Sequence, residues 1–381
     1  MRAVTWQGRE HVEVRDDVPD PRIEKTTDAV VRVVASGLCG TDLHFYRGAI
    51  PGLVPGDILG HEAVGVVEKV GRAVKHIVPG DLVVIPFNIA CGRCPMCRRE
   101  LYSQCETTRR HRFDHGTAML GSPEEYGHVP GAQADRVRVP HARFGPAKLP
   151  DGADPVRATL LADVLPTAAQ AVDSADLPKG GSVAIFGLGA IGQACIRIAG
   201  YLGLELVIGI DHVPERLAMA QNHDAVALDS GRVEDIAGAV AHLTDGAGVD
   251  GVIDAVGMEA EATILDHLMQ TTRQEPSRML ALREAIEAVR RGGTISIVGL
   301  YADPIHSFPI HRLFDKQIQL RMGHTNVRRW LDDLLPLALA PEDPLGLADL
   351  VTDTPSIEEA PAIYERFRDR SGGIVKPVFV L

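Results

Sequence analysis

The sequence predicts an α/β protein: a doubly wound parallel-sheet domain joined to a β-rich domain that carries a cysteine lobe. Three observations predict it. From residue 180 onward, strand-like and helix-like patterns alternate around the glycine turn "GLGAIG". Such alternation implies parallel strands with helical crossovers. The first ~150 residues instead hold short valine-, glycine- and proline-rich runs, the signature of an irregular β domain. Within that region, four of the six cysteines fall in "CGRCPMCRRELYSQC", Cys91 to Cys105.

Taken in chain order, "MRAVTWQGREHVEVRDDV" reads as a strand, a turn and a second strand, with none of the apolar core of a signal peptide. "DAVVRVVASG" and "EAVGVVEKVG" read as further strands. Between them stand "SGLCGTDLH" and "GDILGHEAVG", which hold Cys39, Thr41, His44, His61 and Glu62. One thiolate and one imidazole on neighbouring loops suit half of an open metal site.

The cysteine lobe follows, spaced C-x2-C-x2-C-x7-C. Zinc takes four tetrahedral ligands, and thiolates serve it well. Cys91, Cys94, Cys97 and Cys105 would fill all four positions, leaving none for a substrate, so the lobe reads as a structural fastening. A ferredoxin-like cluster would favour other spacings. "RRHRFDHGTAMLGSPEEYGHVPG" adds His111, His115 and His128, which read as a solvated loop.

"GGSVAIFGLGAIGQACIRIAGYLGLELVIGID" then reads as strand, turn, helix and strand. Gly187, Gly189 and Gly192 form G-x-G-x-x-G, and Asp211 ends the next strand 19 residues past Gly192. This is the context of a dinucleotide site: glycines admit the backbone to the pyrophosphate, and the helix N-terminus faces its charge. Asp211 would accept from the adenosine ribose and repel a 2′-phosphate, favouring NAD over NADP. Arg216 either flanks the adenine or is a solvated helix residue. "AVALD", "GVDGVIDAVG" and "TISIVGL" continue the strands. Before the last of these, Leu282, Ile286 and Val289 mark an amphipathic helix that the Gly292-Gly293 pair ends. Residues 258–280 read as an inserted loop or short helix.

Composition sets the outer bounds. At 381 residues the chain is too long for one ordinary core. A net charge of −12 argues against nucleic-acid binding. No apolar run approaches the roughly 18 residues needed to cross a bilayer. The expected compartment is a reducing cytoplasm, where clustered cysteines bind metal more often than they form disulfides.

With these motifs in this order, the chain resembles the zinc-dependent medium-chain alcohol dehydrogenases. "GHEAVGVVEKVG" carries that family's GHE and spaced glycines, and the lobe matches its structural zinc. The resemblance implies a GroES-like catalytic domain over residues 1–164, with the zinc lobe at about 88–108. A Rossmann NAD-binding domain would span 165–321, and 322–381 would complete the catalytic domain. It implies two zinc ions per chain, one catalytic and one structural, together with NAD, and a homodimer or homotetramer. Cys39 and His61 become catalytic zinc ligands. The family's third ligand is often a cysteine before the nucleotide domain. The matching segment here is "LLADVLPTAAQAV", so the resemblance makes Asp163 the third, and Cys195 reads as a small buried helix residue. "DVLPT", "GAQADRVRVP" and "LRMGHTNVRRW" are similar to the glutathione-independent formaldehyde dehydrogenase and dismutase branch.

The activity so implied is hydride transfer between an alcohol or aldehyde and NAD, with zinc polarising the alcohol oxygen. The alternative is a formaldehyde dismutase that recycles tightly bound NAD. Thr41 would hand the alcohol proton through the nicotinamide ribose to His44. Glu62 would either approach the metal during ligand exchange or orient the site from outside it. Lys376 would meet the cofactor pyrophosphate or stand solvated.

Overall fold

The computed structural model describes residues 1–113, 116–257, 280–301 and 308–381. All of the expected loop or short helix at 258–280 except Leu280 lies outside the described residues, as does His115. Two compact units make up the chain, one from Met1–Pro166 with Thr325–Leu381, the other from Thr167–His324. No described helix is long and apolar enough to cross a membrane.

The first unit opens with an antiparallel pair, β1 (Ala3–Gly8) and β2 (His11–Arg15). Its main sheet uses β3 (Ala29–Gly37), β4 (Glu62–Val70), β5 (Leu82–Ile85), β6 (Arg136–Val139) and β7 (Ala147–Lys148). The final strand of the chain, Val378–Val380, also joins this sheet, beside β3. β3 is the organiser. Valine and alanine bury most of its length, and it pairs antiparallel with β4 throughout, with β6 at its start and with Val378–Val380 at its end. Its last residue, Gly37, lies opposite Glu62, the first of β4. Two loops that are distant in sequence therefore meet at one end of the sheet, the one after Gly37 and the one before Glu62. The same pairing brings Gly37 beside Val378, and so draws Lys376 to this end.

The second unit is a parallel sheet of β8 (Ser182–Phe186), β9 (Leu206–Asp211), β10 (Val226–Asp229), β11 (Val249–Asp254), β12 (Val289–Ile297) and β13 (Gln319–Met322). Its order is β10-β9-β8-β11-β12-β13. Counted from its own first strand this is 3-2-1-4-5-6, the doubly wound Rossmann arrangement. β8 and β9 are almost continuously buried, as strands covered on both faces must be.

The amphipathic helix before β12 corrects one expectation. It spans Leu280–Ala288 and ends before the Gly292-Gly293 pair. Leu282 and Ile286 are buried on it, whereas Val289 already pairs with Val249 in the sheet. The buried ammonium of Lys316 closes the helix, donating to the carbonyls of Ile286 (2.6 Å) and Glu287 (3.0 Å). A cation on the last carbonyls does the work usually left to a glycine. Gly292, at φ +70°, instead shapes the irregularity that lets Thr294 pair with Gly251.

Candidate active site

The lobe brings its four sulfurs together with no disulfide among them. Cys91 and Cys97 Sγ lie 4.0 Å apart, and Cys94 and Cys105 Sγ 3.9 Å. Zinc–sulfur bonds of about 2.3 Å at tetrahedral angles require about 3.8 Å, so the cluster fits one zinc ion. The local backbone donates to the sulfurs: Arg93 and Cys94 N–H to Cys91, Cys97 N–H to Cys94, and Cys91 N–H to Cys105. Burial disfavours a thiolate at Cys91, but the Thr107 hydroxyl at 3.1 Å and these amides outweigh it and hold the thiol at about 6. Gly92 has φ +73°, and a Cβ there would meet the Phe144 ring at 2.5 Å, so the turn requires glycine.

A second cluster forms at the end of β3. Cys39 caps the helix Gly40–Tyr46, His61 precedes β4, and Asp163 follows a buried turn at Thr159–Ala162. Asp163 Oδ2 lies 3.6 Å from Cys39 Sγ and 3.5 Å from His61 Nε2. Ligating atoms of Cys39, His61, Glu62 and Asp163 all lie within 4.8 Å of one another, and all four residues are buried. Burial and the charge of Asp163 push the Cys39 thiol up. Burial opposes a charge on His61, but the carboxylates of Asp42 and Asp163 prevail and raise it.

Asp42 is a participant that sequence reasoning missed. His61 Nδ1–H donates to its Oδ1 at 3.1 Å, and Cys39 N–H donates to its Oδ2 at 3.0 Å. One carboxylate thus orients both neighbours and turns His61 Nε2 toward Asp163 Oδ2. The available signal was its place three residues after Cys39 at a helix start, the spacing of a capping box. Thr41 Oγ1 lies 4.0 Å from Cys39 Sγ, and His44 is buried one turn further along the same helix.

Lys376 requires a correction. It is 1% exposed, so it is not a solvated lysine, and its ammonium is engaged by Glu62 (2.5 Å) and by the Leu38 carbonyl (3.1 Å). That leaves no free charge for a pyrophosphate. Glu62 is itself fully buried; burial raises its carboxyl and Lys376 opposes the shift. Of the loop histidines, His111 is exposed and His128 is half-exposed beside Asp57 at 2.7 Å.

In the second unit the glycine turn has the expected form. Gly187 adopts φ +86°, and a Cβ on Gly192 would stand 1.9 Å from the Gly187 carbonyl oxygen. Gly189 has open space where its side chain would be, at the start of the helix Ala190–Tyr201. Asp211 ends β9 and accepts from Leu188 N–H at 2.7 Å, which ties the turn to the neighbouring strand. Arg216 is not solvated: its side chain is 14% exposed and lies 3.7 Å from Asp211. Cys195 is fully buried, and burial alone pushes its thiol up.

Comparison with known proteins agrees with this geometry. A family model described as the alcohol dehydrogenase GroES-like domain matches residues 25–151, and one described as zinc-binding dehydrogenase matches 190–273. The uncharacterized zinc-type alcohol dehydrogenase-like protein AdhB of Bacillus subtilis is 34% identical, over 99% of this chain and 99% of its own. A glutathione-independent formaldehyde dehydrogenase of Pseudomonas aeruginosa is 30% identical, over 96% and 94%. The solved alcohol dehydrogenase TADH of Thermus sp. ATN1 matches with a TM-score of 0.85 at 36% identity, covering 100% of this chain and 99% of that one. Relatives of full length, matched in both units, assign this chain to the zinc-type medium-chain alcohol dehydrogenases.

Proposed function

We propose that the protein transfers hydride between a small alcohol or aldehyde and NAD, with a catalytic zinc held by Cys39, His61 and Asp163. The observation that carries this reading is the 3.5–3.6 Å spacing of Asp163 Oδ2 from the other two ligating atoms. Zinc bonds of about 2.0–2.2 Å to nitrogen and oxygen and about 2.3 Å to sulfur, at tetrahedral angles, call for about 3.3–3.7 Å. Zinc with three protein ligands supplies a Lewis acid that draws the alcohol proton's pKa toward neutrality. Cys91, Cys94, Cys97 and Cys105 hold the second, structural zinc.

The residues around the centre have separate tasks in this reading. Asp42 fixes the imidazole so that Nε2 faces the metal. Thr41 and His44 carry the released proton away, Thr41 by its hydroxyl and His44 as base. Gly187, Gly189 and Gly192 admit the dinucleotide, and Asp211 selects NAD through the ribose hydroxyls, with Arg216 beside it. The enzyme works as a homo-oligomer in the reducing cytoplasm. Dismutation is not favoured: the formaldehyde-active relatives stand at 30% identity, the zinc-type alcohol dehydrogenase-like and alcohol dehydrogenase matches at 34% and 36%.

The test joins metal analysis to the absorbance of NADH. The wild type should hold two zinc ions per chain and reduce NAD in preference to NADP, with formaldehyde compared against linear and aromatic alcohols. Asp163→Ala should stay folded, lose one ion and fall below detectable turnover. Unchanged turnover in that variant would remove Asp163 from the ligand set.

A further inference from the structure

Glu62 offers a carboxylate oxygen within 4.8 Å of the ligating atoms of Cys39, His61 and Asp163. As a fourth protein ligand it would close the position an alcohol needs. What it meets instead is Lys376, whose Nζ donates to Oε1 at 2.5 Å and stands 2.5 Å from Oε2. Glu62 is 0% exposed, and the one ammonium spans both of its oxygens. The space Oε2 fills exists because residue 37 has no side chain. A Cβ on Gly37 would stand 2.0 Å from Oε2 and 3.1 Å from Lys376 Nζ.

This slot is braced on every side. Gly37 pairs with Val378 in the sheet, and its carbonyl accepts from Gln133 Nε2 at 3.2 Å. Gln133 is held in turn by the Tyr364 hydroxyl at 2.8 Å. The Leu38 carbonyl fixes the ammonium. A buried ion pair is weak support for stability, since desolvation offsets most of the attraction. So much construction around one pair calls for another use.

We propose that Lys376 and Gly37 form a holding slot that keeps the Glu62 carboxylate off the metal and leaves the fourth coordination position to substrate. Lys376 is then a positioning residue that acts through Glu62. The inference rests on the Cys39–His61–Asp163 centre proposed above. Without the ammonium, Glu62 is an uncompensated buried carboxylate beside a dication, and the metal becomes its nearest partner. Filling the slot with a methyl group evicts the carboxylate with Lys376 still present.

The experiment places Co2+ at this centre, keeps zinc in the cysteine lobe, and reads the visible cobalt bands with and without imidazole as an added ligand. In the wild type the bands should shift on adding imidazole. In Lys376→Met and Gly37→Ala the resting bands should already have moved, and imidazole should no longer shift them. Loss of cobalt to a chelator should slow by about tenfold or more, the scale on which neighbouring groups alter metal affinity. The double variant Lys376→Met with Glu62→Gln should regain the imidazole response, which a merely structural lysine would not produce. If Lys376→Met does not fold, Gly37→Ala decides the question alone. Both single variants keeping the wild-type imidazole shift and chelator rate would overturn the slot. Failure of the underlying centre appears separately, as an Asp163→Ala protein that keeps the ion, whereas a wild type whose cobalt ignores imidazole would itself overturn the slot.

Discussion

The two cysteine-containing clusters solve opposite problems. The lobe gathers its donors from fifteen consecutive residues, and its own turn amides point at its sulfurs. Little apolar surface surrounds it: Ala90, Met96, Tyr102 and Phe144 are its main company. The Cys39 cluster draws on segments as far apart as Cys39 and Asp163, 124 positions along the chain. It is held by hydrogen bonds that Asp42 accepts and Lys376 donates, and by the pairing of β3 with β4. The lobe is organised by its own turns, whereas the second cluster is organised by contacts between distant segments. The contrast teaches that a metal site is as robust as whatever organises its ligands.

That contrast can be broken most forcefully at Cys94. Cys94→Ser should withdraw ion binding on the order of ten kcal/mol from the lobe. It should lower the thermal midpoint and promote aggregation, followed by calorimetry and light scattering. If only substrate preference changed, the lobe would not be a fastening. A smaller effect is expected at Asp42. Asp42→Asn should weaken zinc at the Cys39 centre roughly 10- to 100-fold, while the lobe zinc and the thermal midpoint stay close to wild type. Competition with a graded chelator separates the two ions, and equal loss from both would dissolve the distinction drawn above. The smallest effect belongs to Thr107→Val, which removes one hydroxyl from Cys91. At about 1 kcal/mol for a hydrogen bond, lobe zinc should leave about fivefold faster.

The same division explains what the sequence made legible. Cysteines at short fixed spacings, and glycines between a strand and a helix, are local patterns whose physical demand is written in consecutive residues. The lobe, the glycine turn, Asp211 and most strands were readable for that reason. The placing of Asp163 beside Cys39 rested on resemblance, because nothing in "LLADVLPT" announces a neighbour 124 positions away. Lys376 was assigned the wrong surroundings because its partner, Glu62, is brought to it by strand pairing. Its apolar setting, "GIVKPVFV", was the one hint of burial. The early end of the helix at Ala288 is of the same kind, since it depends on Lys316, a residue from the far side of β12.

The pairing of Val378–Val380 with β3 also orders events during synthesis. Domains tend to fold as they emerge, N-terminal portions first. The unit of Thr167–His324 is complete in one continuous stretch, but the other unit waits for Thr325–Leu381. Until Lys376 leaves the ribosome, Glu62 has no counterion. A nascent catalytic unit therefore carries one more loose carboxylate near Cys39, His61 and Asp163 than the finished enzyme does. The emergence of Lys376 is then the moment at which this centre acquires its final charge.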